Sequence, residues 1–280
     1  MSRPLHGGPG RPAPAPLAAS NPRVKRLRRL SGRRSVRVEE AAFVIEGPKA
    51  VGEALAAGVE LEELFWAAGA DPGLLARAAA AGCALHETAP HALAGALDAA
   101  SPQPVAAIAP APSLTLAGVA AAVAAAAAPF VLALVEVRDP GNAGALVRAA
   151  DAAGATGVVF VGESVDPLGP KTVRASAGSL FHVPMALEAA PAAALAAFSQ
   201  WGLRTVAAAA HGGVAHTSLD WTGPVALLVG NEAAGLSAEV AAGVDALASI
   251  ELAGRAESLN VALAGAVLCF EALRQRRAAG

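Results

Sequence analysis

A chain of 280 residues fits one large domain or two modest ones with a real buried core; its 55% hydrophobic content is largely alanine, aromatics are 4% and Tyr is absent. The net charge of −2 hides an asymmetry, because ten of the 21 Lys and Arg fall within residues 1–38, a stretch without a single acid. Two cysteines, Cys83 and Cys269, lie far apart in apolar contexts, which excludes a disulfide framework or a metal-binding spacing and reads as buried thiols in a reducing cytosol.

Residues 1–20, rich in Pro, Gly and Ala without periodicity, are expected to form a disordered tail, and no apolar core follows their basic residues to make a signal peptide. From Asn21, Val24, Leu27 and Leu30 recur on one face of a helix whose other faces carry arginines. A strand over Ala41–Ile45, a helix from Glu46-Gly47-Pro48-Lys49 through Ala57, a strand over Leu61–Trp66 and a helix over Leu74–Ala81 follow. A short strand at Cys83–His86, a helix around His91–Leu97 and a strand at Val105–Ile108 complete a small α/β domain, residues 21–109. The uncharged run Ala99–Val135 is long enough to span a bilayer, but five prolines interrupt it and Ala replaces Leu and Ile, so the chain reads as soluble.

Residues 110–128 read as a partly helical linker, and residues 129–280 as a second α/β domain. Its strands are expected at Phe130–Val137, Gly157–Val161, near Val183, Thr205–Ala208, Val225–Val229 and Ala248–Ile250. Helices are expected at Ala143–Ala153, Pro170–Ala177, Ala190–Trp201, Ser237–Ala242 and Leu259–Arg277. This alternation predicts a mostly parallel sheet.

The usual α/β fingerprints are missing: there is no dinucleotide-binding glycine motif, P-loop, nucleophile elbow or zinc-spaced histidine set. Three other turns stand at expected strand ends, where open α/β sheets place their ligands: Asp139-Pro140-Gly141-Asn142-Ala143-Gly144 with Arg148 behind it, Gly230-Asn231-Glu232-Ala233-Ala234-Gly235-Leu236-Ser237, and Glu257-Ser258-Leu259-Asn260-Val261. Asn142 suits either a helix cap or a site role. Arg148 suits a reach back over its turn or an ion pair with Asp151. Glu232 can accept from a hydroxyl, orient Arg148 or stabilise a helix start. Ser258 and Asn260 together exceed what capping one helix needs. Lys171 and Arg174, three apart at a helix start, suit phosphate, and the basic residues near the N-terminus (Arg26, Arg29, Arg33 and Arg34 among them) suit a polyanion.

Taken in order, the three turns resemble those of the SpoU (TrmH-like) RNA ribose 2′-O-methyltransferases of the SPOUT class, over residues 130–277. Residues 21–108, with Phe43-Val44-Ile45-Glu46-Gly47, resemble the L30e-like substrate-binding domain that many members carry. The resemblance implies a C-terminal SPOUT domain with a deep trefoil knot, S-adenosylmethionine as methyl donor and an RNA substrate. Ribosomal RNA, 23S in particular, is favoured; a transfer-RNA enzyme and a catalytically silent RNA-binding scaffold are the alternatives, and an oxidoreductase is opposed by the missing glycine motif.

It assigns Arg148, Asn142, Glu232, Ser258 and Asn260 to catalysis, and Leu228, Gly230, Asn231, Glu232, Ile250, Leu252, Leu259 and Asn260 to the donor. Arg148 is read here as an electrostatic stabiliser and phosphate clamp, since guanidinium resists deprotonation. A cytoplasmic homodimer joined through the C-terminal domain is implied, with neither metal nor membrane. Ala233 and Ala262 depart from the family pattern, and Ala233 is expected to reshape its loop because alanine tolerates positive φ poorly.

Overall fold

The structure, a computed structural model, describes residues 15–99 and 101–279. Seven of the eleven α-helices among them begin on a proline, whose fixed φ and missing N–H cost nothing at that position. These seven prolines therefore start helices and do not interrupt them.

The first domain runs α1 (Pro22–Gly32), α2 (Arg34–Glu40), β1 (Ala42–Glu46), α3 (Pro48–Ala56), β2 (Glu63–Trp66), α4 (Pro72–Ala80), β3 (Ala84–Glu87), α5 (Pro90–Ala94) and β4 (Val105–Pro110). Its sheet order is β1-β4-β2-β3, antiparallel except for β2 with β3. One face packs on α1 and α5 through Val24, Leu27, Leu30, Phe65 and Leu93.

The second domain runs α6 (Leu116–Ala125), β5 (Phe130–Val135), α7 (Pro140–Ala152), β6 (Gly157–Val161), α8 (Pro170–Ser176), β7 (Met185–Glu188), α9 (Pro191–Gln200), β8 (Arg204–Ala208), β9 (Val214–Ala215), β10 (Val225–Val229), α10 (Ala238–Ala242), β11 (Ala246–Ser249) and α11 (Val261–Ala279). Its seven strands are all parallel, in the order β7-β6-β5-β10-β8-β11-β9.

Two readings of the sequence change. Of the tail, residues 1–14, with Arg3 and Arg11, lie outside the described residues, whereas Leu17 bridges to Thr88 and takes a backbone bond from Ala89, so an unpaired edge beside β3 orders residues 15–20. The linker is not a bare connector, because α6 buries Val119 and Val123 in the second domain's core with Val131, Val159 and Ala186. No helix among the described residues is long and apolar enough to cross a membrane. Burial holds the thiols of Cys83 and Cys269 protonated, near pKa 11 and 12, the nearby Glu63 adding to the shift of Cys83.

The domains share one continuous apolar cluster, in which Phe43 and Ile45 of β1 belong with Val173 and Leu180. Two arginine ion pairs cross the junction among the described residues: Arg174 to the buried Glu46 at 2.6 Å, and the buried Arg37 to Asp166 at 2.6 Å, with Arg37 also donating to the Leu30 carbonyl. On its other side α8 presses against α7 at Gly144, where a Cβ would run into Ala175 and come within 2.7 Å of the Thr172 carbonyl and 2.8 Å of the Ser176 nitrogen. Gly144→Ala is therefore expected to destabilise the protein by about 1–3 kcal/mol through overpacking, read as a lower denaturation midpoint at unchanged m-value. A wild-type midpoint would mean that α8 moves aside freely.

Candidate active site

The carboxyl ends of three adjacent strands wall a single cleft. Ala208–His211 follow β8, Gly230–Gly235 follow β10, and Ile250, Leu252 and Glu257–Leu259 follow β11. α11 closes it with Val261, Ala264 and Leu268. The cleft holds about 360 Å³, in the range of small-molecule sites, and lies where parallel sheets place ligands.

The loop after β10 doubles back on itself. A Cβ on Gly230 would collide with the Gly235 backbone, and Asn231 and Gly235 exchange two backbone hydrogen bonds of 2.9 and 3.0 Å. The Asn231 side chain shapes the turn: Oδ1 accepts from the N–H groups of Ala233 and Ala234, and Nδ2 donates to the Glu136 carbonyl. Positive φ falls on Gly235 and not on Ala233, so alanine sits in this loop without backbone strain.

Glu232 joins this loop to the turn before α7. Its carboxylate accepts from the backbone N–H of Arg138 at 3.2 Å and of Asp139 at 3.0 Å, and from Asn142 Nδ2 at 3.1 Å. Burial opposes its ionisation, but the bonds from Asp139, Asn142 and Arg138 outweigh that and hold its carboxyl below the usual carboxylate range. Asn142 in turn accepts from Asn260 Nδ2 at 3.0 Å. Asn260 Oδ1 caps α11 by accepting from Ala262 and Leu263 N–H. The result is one hydrogen-bonded chain, Glu232–Asn142–Asn260, that fastens the three turns together.

The alternatives left open by the sequence now separate. Asp139 is the cap of α7, accepting from Asn142 N–H at 2.8 Å, so the Asn142 side chain is free for the network. Asn260 performs both jobs, cap and link. Ser258 lines the cleft, exposed, with no side-chain hydrogen bond among the described residues. Arg148 lies outside the cleft lining, is exposed, and pairs neither with Asp151 nor with its own turn. At ~100° per residue it sits about 160° around α7 from Leu146, the side chain that meets Gly265 of α11.

Among the donor residues expected from sequence, Gly230, Asn231, Glu232, Ile250, Leu252 and Leu259 line the cleft. Asn260 borders it through the network, and Leu228 does not belong to it. Leu228 is 2% exposed and packs with Ala226, Ala207 and Val240 on the opposite sheet face, because neighbours along a strand alternate sides. Ala208–His211 and α11's Val261, Ala264 and Leu268 were not anticipated. The strand expected over Thr205–Ala208 pointed towards the first group, since its carboxyl end had to open on the same edge.

The basic residues divide as well. Arg26 is committed to the fold, bonding Glu40 at 2.7 Å, Glu62 at 2.8 Å and Glu63 at 3.1 Å, and Arg29 shares Glu40 at 3.0 Å. Arg174 is held by Glu46 in the domain junction. Arg33 and Arg34 are exposed without an ion pair among the described residues. Lys171 stands 3.7 Å from Asp139, beside the turn that carries Asn142. Among the described residues no group of three or more His, Cys, Asp or Glu is placed to hold a metal ion.

Comparison with known proteins identifies the family and the fold. A model of the SpoU rRNA Methylase family matches residues 129–270, and one of the MRM3-like substrate binding domain matches residues 21–107. The chain is 30% identical over 253 residues to the 23S rRNA (guanosine(2553)-2′-O)-methyltransferase RlmP of Bacillus subtilis, covering 90% of this chain and 96% of that protein. An AdoMet-bound rRNA methyltransferase from Sinorhizobium meliloti has a similar structure, with TM-score 0.77 and 35% identity over 91% of this chain and 95% of that one. The SpoU methyltransferase AviRb of Streptomyces viridochromogenes in complex with AdoMet gives TM-score 0.81 and 29% identity, over 93% of this chain and all of that one.

Proposed function

The chain belongs to the SpoU rRNA methylase family, and from that premise we propose that it methylates a ribose 2′-hydroxyl of 23S ribosomal RNA. It is an S-adenosylmethionine-dependent RNA methyltransferase with a mostly parallel α/β catalytic domain and an N-terminal substrate-binding domain. The observation that carries the reading is the Glu232–Asn142–Asn260 chain, which binds three motif turns into one rigid rim beside the cleft.

The cleft suits the donor in shape and chemistry. Ile250, Leu252, Leu259 and Leu268 offer apolar surface, while the folded-back 230–235 loop, closed by the contact of Gly230 with Gly235, adds polar backbone to the wall. S-adenosylmethionine, when bound, supplies an electrophilic methyl group. Glu232 holds the Asp139–Asn142 turn in register with the donor loop, leaving the Ser258 hydroxyl to contact substrate or donor. Arg148 stabilises the negative charge that develops on the ribose oxygen and clamps a neighbouring phosphate, because a guanidinium does not give up its proton readily enough to act as base. Lys171 adds positive charge at the same rim.

The active form is read as a cytoplasmic homodimer joined through α11. Leu263 and Phe270 are 60% and 48% exposed and share one helical face with Val267, too much apolar surface for a helix meant for water. The catalytic domain is read as carrying the deep trefoil knot of the SPOUT class, with the 230–235 loop and residues 250, 252 and 257–259 lining the cleft together. Incubating the protein with labelled donor and either 23S rRNA or transfer-RNA transcripts tests the reading. Label is expected in 23S rRNA, at one ribose. Label in transfer RNA alone would move the substrate, and donor binding without transfer to either RNA would leave a silent scaffold.

A further inference from the structure

The ion pairs of the first domain leave a specific remainder. Arg23, Arg26 and Arg29 are engaged by Glu40, Glu62 and Glu63, whereas Arg28 and Arg33 are exposed and have no acidic partner among the described residues. Both line a recess of about 460 Å³ between the end of α1 and residues 95–98. Arg29, Ser31 and Gly32 complete the α1 wall, and Asp98, exposed on the far rim, pairs with none of the arginines. Ser31 is 4% exposed, yet its hydroxyl has no hydrogen-bond partner among the described residues. A buried hydroxyl left unpaired at the wall of an arginine-lined recess calls for a partner, and a ligand anion seated there supplies one.

We propose that this recess seats one backbone phosphate of the RNA substrate, with Arg28 and Arg33 supplying charge and Ser31 a neutral hydrogen bond. The inference rests on the reading that the substrate is RNA. It separates these residues from Arg26, which the fold already uses. Position adds to the case. α2 begins directly after Arg33, and its Arg37 is locked to Asp166 of the catalytic domain, so a phosphate held here stands at a fixed offset from the active-site rim. Such contacts set register and orientation and carry no sequence information.

The test is binding of a 23S rRNA transcript to the full chain over a range of salt concentrations. Arg28→Ala and Arg33→Ala, singly and together, are expected to lower the slope of log affinity against log salt by about 1, the two losses not adding because both remove the same phosphate contact. Ser31→Ala is expected to weaken binding about tenfold with an unchanged slope, and to melt no lower than wild type, because the lost hydroxyl had no internal partner. An unchanged slope in the double variant, while the wild type still binds and methylates the transcript, overturns the phosphate seat alone. A wild type that neither binds with salt dependence nor methylates overturns the RNA reading with it. Ser31→Ala that melts well below wild type and binds normally makes the hydroxyl structural and also overturns the proposal.

Discussion

Glu232→Ala is expected to cut methyl transfer about a hundredfold while leaving the fold intact, since displacing a positioned group by about an ångström costs that much. Glu232 is exposed at the rim, so its removal opens no buried cavity. It does release three donors at once: the N–H groups of Arg138 and Asp139 and the amide of Asn142. The turn before α7 then loses its tie to the donor loop, and Asn142 its orientation towards Asn260. Glu232→Gln should fall nearly as far, because its amide nitrogen would face N–H groups where an acceptor is needed. The loss should appear in single-turnover rate more than in RNA affinity, as Glu232 lines the donor cleft and the arginines of α1 belong to the first domain. A variant with near-wild-type turnover would reduce Glu232 to a loop-shaping residue.

How much of this was legible beforehand follows from the kind of signal each residue carries. The three turns could be found because polar side chains at strand ends stand out against the alanine-rich background, and β6 and β10 could be bounded to the residue because Gly and Pro flank their apolar runs. That Leu228 lies outside the cleft lining was not legible, because a strand buried on both faces is apolar at every position and nothing in the sequence marks which parity meets the cleft. Arg26 and Arg174 looked available for phosphate because their partners Glu62, Glu63 and Glu46 are distant in the chain, and ion pairs across a fold leave no local spacing. The Ala208–Ala210 wall offered no signal beyond its place at the end of an expected strand, since its side chains are methyl groups and nothing distinctive. Asp139 as the cap of α7 was readable, being the residue before a helix-starting proline, but Asn142 drew the attention.

The position of Arg148 leads to the strongest expectation. It lies two turns into α7, exposed, on the side facing away from the helix that floors its own cleft. A residue so placed can serve a cleft only if the substrate spans the distance or a second copy presents the cleft to it. The exposed apolar face of α11, the helix packed beside α7, favours the second copy. Arg148→Ala should then lower methyl transfer by at least about a hundredfold, as removal of a preorganised charge from a transition state does, with donor binding unchanged. Mixing it with Glu232→Ala, itself nearly inactive, separates the two geometries. If Arg148 acts across the interface, each mixed dimer holds one site with both residues intact, and its activity returns to about half that of the wild-type dimer. If Arg148 acts within its own chain, every site in the mixed dimer lacks one residue and activity stays at the level of the parents. Recovery on mixing, measured as label incorporated into 23S rRNA, is the expected result; its absence from dimers shown to have exchanged subunits would return Arg148 to its own protomer.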